Sequence, residues 1–92
     1  MPGPILRNFV VKRFGTPAQT EGSLNEPRER EELGWRFNEK WTYSGPRRDP
    51  AGAAERVIYW LRYDYVGSAI RKTKGADWQK DETLPQALAG TA

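Results

Sequence analysis

Leu33-Gly34-Trp35-Arg36-Phe37-Asn38-Glu39-Lys40-Trp41-Thr42-Tyr43 is the stretch on which the fold turns. Its large apolar residues, Leu33, Trp35, Phe37, Trp41 and Tyr43, occupy every second position, with polar or small residues between them and Glu39 alone out of step. A period of two sends alternate side chains to opposite faces of an extended chain, so the pattern predicts a strand with one buried face.

The segment that must pair with it is Arg56-Val57-Ile58-Tyr59-Trp60-Leu61-Arg62-Tyr63-Asp64-Tyr65-Val66-Gly67. Two conformations compete there. Asp49 as a cap and Pro50 as first residue would open a helix that buries Ala54, Val57, Ile58, Leu61 and Tyr65. Against that, aromatic and β-branched residues dominate the run, and their side chains pack best on a pleated surface. The strand is the favoured reading.

Register follows from the side chains. If paired residue numbers sum to 100 in an antiparallel hairpin, Tyr43 faces Val57, Trp41 faces Tyr59, Phe37 faces Tyr63 and Trp35 faces Tyr65, gathering the rings on one face. On the other face Arg36 meets Asp64, and Lys40 sits beside Trp60. Sums of 98 and 102 set Arg36 or Lys40 against Arg62, and like charges directly opposite disfavour both.

Working outward, residues 5 to 14 are rich in β-branched and aromatic types and read as a third strand, stopped by Gly15-Thr16-Pro17. Residues 15 to 25 read as a loop. Asn25-Glu26-Pro27 resembles a helix start, predicting a short helix near 26 to 33 that ends at Gly34. Gly45-Pro46, Asp49-Pro50 and Gly52 mark a turn region. Residues 68 to 75 could extend the strand that runs to Gly67 past a glycine kink or bulge, and from Ala76 the chain turns polar, with Trp78 its one anchor. The fold class expected is α+β and sheet-dominated: an antiparallel sheet of three or more strands, one short helix, and a flexible C-terminal tail. Residues 1 to 82 make one small domain and 83 to 92 a disordered tail. A three-stranded sheet with an aromatic face needs a cover, supplied by the helix and tail or by a second copy of the chain as a homodimer.

Composition bounds function. Ninety-two residues enclose one modest core. The chain has neither cysteine nor histidine, which removes disulfides, the usual zinc sites and Cys/His or Ser/His nucleophilic machinery. No phosphate-cradling glycine loop or pair of catalytic carboxylates is present, so no catalytic residue, metal or cofactor is expected. No run approaches the ~20 apolar residues of a membrane helix, and nothing resembles a secretory leader, so the expected location is the cytoplasm. The net charge of +3 permits acidic protein or nucleic acid partners.

Four constellations stand out. Glu39 would place a carboxylate among aromatics, either as a tuned acid or as a rim residue neutralised by Arg7 or Arg13. The Arg36 and Asp64 pair reads as structural. Trp60, ringed by Arg36, Lys40, Arg56 and Arg62, would make an aromatic docking surface for a protein partner, provided that face is not covered as a second core layer. Arg47, Arg48, Arg71, Lys72 and Lys74 form basic clusters that could grip phosphates, and a nucleic-acid-binding protein is the alternative. The function expected is therefore a non-enzymatic binding module or accessory subunit.

Overall fold

The computed structural model describes residues 5, 7–45, 49 and 52–88. Helix α1 (Arg7–Phe14) is followed by strands β1 (Gln19–Gly22), β2 (Arg30–Glu32), β3 (Trp35–Phe37), β4 (Glu39–Ser44), β5 (Glu55–Leu61), β6 (Asp64–Arg71) and β7 (Gln79–Lys80), then helix α2 (Leu84–Ala87). The architecture is sheet-dominated and antiparallel, as the alternating runs predict. Five strands form one sheet in the order β1-β4-β5-β6-β7, and β2 and β3 form a separate hairpin.

The run after residue 54 is extended rather than helical, but it supplies two strands. Leu61 pairs with Asp64 around a two-residue turn at Arg62-Tyr63, so β5 has β4 on one side and β6 on the other. The first run is also divided. Phe37 belongs to β3 in the small hairpin, and the chain breaks at Asn38 before β4 begins. The expected pairs Arg36 with Asp64, Phe37 with Tyr63 and Trp35 with Tyr65 therefore do not form. Arg36 stands instead opposite Glu31.

β4 and β5 pair antiparallel with residue numbers summing to 99, not 100: Trp41 faces Ile58, Thr42 faces Val57 and Tyr43 faces Arg56. A slip of one residue sends every side chain of one strand to the other face. The rings consequently divide between two cores. One contains Trp41, Tyr43, Ile58 and Trp60 under Val10 and Phe14 of α1 and Leu84, Ala87 and Leu88 at the C-terminal end. The other contains Phe37, Val57, Tyr59 and Ala69, with Trp35, Val66 and Trp78 packed against it. Trp41 and Trp60 lie 5.2 Å apart at 58°, and Phe37 and Tyr59 4.8 Å apart at 53°. Tilted contacts of this kind add about 0.5 to 1.5 kcal/mol each beyond their buried area. Each face of the sheet has a cover from its own chain, so closing the core does not require a second copy.

Two expectations for flanking segments are corrected. Residues 7 to 14 are helical, not extended, because Arg7, Val10 and Phe14 at spacings of three and four share one helix face. Val10 and Phe14 are buried there while Val11 is exposed. No helix forms near 26 to 33. Leu33 and Gly34 both carry positive φ, 54° and 88°, and make the two-residue turn of the β2–β3 hairpin. Within the segment read as a tail, Leu84, Ala87 and Leu88 are buried, and the Arg13 Nε–H donates to the Ala87 carbonyl at 2.9 Å.

Candidate functional site

The predicted docking surface centred on Trp60 does not exist as a surface. Trp60 is 0 % exposed because its strand lies mid-sheet with α1 and α2 over that face. The covered alternative, a second core layer, describes its place. Arg56 is 1 % exposed and faces the same core. Its Nε and Nη2 donate to the two carboxylate oxygens of Asp49 at 2.6 and 2.7 Å, and Nη1 to Asp81. Asp81 is held in turn by the Ser68 hydroxyl at 3.0 Å and the Thr83 N–H at 2.8 Å. This cluster ties Asp49, the sheet and the C-terminal segment together.

Glu39 finds the partner that the rim reading named. Arg7 Nη2 donates to its Oε2 at 2.8 Å, and so does the Trp41 indole N–H. The Arg7 guanidinium lies 4.4 Å from the Trp41 ring and 4.9 Å from that of Trp60. Lys40 does not meet Trp60. Its Nζ sits 3.0 Å from Glu21 and 3.1 Å from Glu32. Burial opposes its charge, but those two carboxylates outweigh burial and raise its pKa.

Arg36 is linked through Glu29 to a groove that Arg62 lines. Arg36 pairs with Glu29 at 3.5 Å, and Glu29 lines a groove of about 390 Å³ with Pro27, Asn38, Leu61, Arg62 and Asp64. Between the lining residues Arg62 and Asp64 the chain carries Tyr63, 71 % exposed, the most exposed large hydrophobic residue described. The tip that carries it is fixed by Asn38, which is buried. The Asn38 N–H donates to the Trp60 carbonyl at 2.8 Å, its Oδ1 accepts from the Arg62 N–H at 2.7 Å, and its Nδ2 donates to the Glu26 carbonyl at 3.2 Å. Arg62 itself holds φ at 57° in the turn.

Of the basic clusters, Arg71 is engaged: it pairs with Glu55 at 3.2 Å and lies 4.5 Å over the Trp78 ring. Lys72 and Lys74 are exposed. Arg47 and Arg48 lie outside the described residues. Near Arg71, a second recess of about 290 Å³ is lined by Glu32, Leu33, Tyr59 and Trp78. The Tyr59 hydroxyl donates to Glu32 at 3.0 Å, and burial together with that carboxylate raises the phenol's pKa.

Sequence reasoning named Arg36 and Arg62 but missed Tyr63 and Leu33. The residue pair Leu33-Gly34 carries a hairpin signal in its glycine, and recognising it would have exposed the turn. Arg62-Tyr63 has no such mark. Among the described residues, no group of three or more Asp and Glu could hold a metal ion, and no helix is long and apolar enough to cross a membrane. No protein-family model, curated protein or solved structure matches the chain.

Proposed function

We propose that this chain is a non-enzymatic binding module that docks a partner protein through the β5–β6 hairpin tip, with Tyr63 as the anchor, Arg62 next to it in the turn, and Arg36 joined to the adjoining groove by Glu29. The observation that carries this reading is the 71 % exposure of Tyr63 on a turn that Asn38 holds through two hydrogen bonds, to the Trp60 carbonyl and from the Arg62 N–H. A large aromatic left in water gains most from entering a partner's pocket, and tyrosine and arginine dominate interface hot spots. A tip already rigid loses little conformational freedom on binding. The chain holds no cysteine, so its fold needs no oxidising compartment, and we place it in the cytoplasm.

The test is a comparison of wild type with Tyr63→Ala and Arg62→Ala in capture from native lysate, alongside a salt titration against single- and double-stranded oligonucleotides. The Tyr63→Ala variant should melt like wild type and lose its captured protein. Identical capture by wild type and variant overturns the reading. Steeply salt-dependent oligonucleotide binding that depends on Lys72 and Lys74 would replace it with nucleic acid recognition.

A further inference from the structure

The recess between the β2–β3 turn and the sheet has a peculiar wall. Leu33 is 38 % exposed and holds φ at 54°, a conformation that a leucine adopts only under constraint and that asparagine or glycine would accept readily. Exposure and backbone both disfavour leucine there, and what the residue supplies is an apolar side to the recess it shares with Tyr59 and Trp78. Glu32, the one charged residue of the lining, turns its carboxylate to the Tyr59 hydroxyl and Lys40 Nζ.

On the adjoining loop cations outnumber anions, Arg71, Lys72 and Lys74 against Asp77. The loop from Arg71 to Trp78 starts and ends at the recess, because Arg71 stacks on the Trp78 ring, and it carries exposed Lys72 and Lys74. On the other side Lys80 Nζ lies against Gly34, next to Leu33, and over the Trp35 ring at 5.4 Å.

We infer that this recess is a second docking site that takes one apolar side chain from an acidic segment of a partner polypeptide. The apolar lining fits an aliphatic or phenyl group, and Lys72, Lys74 and Lys80 complement carboxylates on either side of it. A nucleobase fits less well, since the lining would leave its edge donors and acceptors unpaired.

Short synthetic peptides with a central Leu or Phe flanked by Asp and Glu test this, read by the NMR signals of the Trp78 indole and the Leu33 methyls. Both peptides should shift these signals saturably. Binding should weaken at least about fivefold with Ala at the centre, with Lys as flanks, or in Leu33→Asn, which keeps the turn and removes the wall. Tyr63→Ala should bind the peptides like wild type, which separates this site from the hairpin tip. Absence of a saturable shift, equal binding of the Ala-centred peptide, or shifts caused by oligothymidylate and not by the peptides would each overturn the proposal.

Discussion

Arg56 and Asp49 meet through two parallel hydrogen bonds, Nε to Oδ2 at 2.6 Å and Nη2 to Oδ1 at 2.7 Å, with both side chains almost wholly out of water. Asp81 engages the remaining nitrogen of the same guanidinium. Removing the cation would strand two buried carboxylates. Arg56→Ala is therefore expected to cost about 3 to 5 kcal/mol in denaturant unfolding, the range for breaking a buried ion pair from one side. A loss under about 1 kcal/mol would show that water reaches the cluster.

Trp60 follows from its position. Truncating a buried tryptophan costs about 3 to 5 kcal/mol, so Trp60→Ala should unfold the protein or leave it marginal instead of merely severing a partner. Its indole N–H has no hydrogen-bond partner among the described residues, so Trp60→Phe sacrifices volume but no polar contact there. Thermal melts should rank wild type above Trp60→Phe and Trp60→Ala far below both. A Trp60→Ala variant that melts like wild type would contradict the placement of α1 and α2 over β5.

How far the residues announce this arrangement is visible at three places. The sheet-dominated class and the β4–β5 pairing were legible, because period-two aromatics have few other uses. The register was not: sums of 98, 100 and 102 all keep odd residues opposite odd ones, whereas Trp41 against Ile58 needs an odd sum. Cross-strand charge matching cannot detect that slip once Arg36 and Asp64 belong to different sheets. The 7–14 helix was hidden because Val10-Val11 and Phe9 carry strand propensity locally, and the tertiary contacts of Val10 and Phe14 override it. Of the site, the two arginines were legible by composition, but exposure of Tyr63 depends on a turn that no glycine marks.

Alkaline pH offers a further check. Tyr43 and Tyr59 have pKa values raised, in both cases first by burial of the phenol, and for Tyr59 further by Glu32 and Glu21. Tyr65 is raised by burial as well. A raised folded pKa means that the native state holds protons that the unfolded chain has released. The stability these groups contribute is present in full below the ordinary tyrosine value of about 10 and is lost as pH rises beyond it. Unfolding free energy should therefore fall steeply above about pH 10, and Tyr59→Phe and Tyr43→Phe should each flatten the decline. An alkaline slope unchanged in both variants would refute the assignment.

Gly67 fixes how closely the β2–β3 hairpin sits on the sheet. A Cβ at that position would lie 2.1 Å from Trp35 Cε2, far inside van der Waals contact, so the indole occupies the volume a side chain would need. Trp35 also stacks on Tyr59 at 5.4 Å, which leaves it little freedom to yield toward the sheet. Gly67→Ala should then push the hairpin outward and cost about 1 to 3 kcal/mol, the usual range for overpacking. Trp35→Leu alone loses ring contacts with Tyr59. Combined with Gly67→Ala it removes the clash, so the double variant should be more stable than the sum of the two single losses by more than about 0.5 kcal/mol. Strict additivity would mean that Trp35 does not rest on Gly67 in solution, and that the hairpin is attached to the sheet by Phe37 and by the Glu32 contacts with Tyr59 and Lys40.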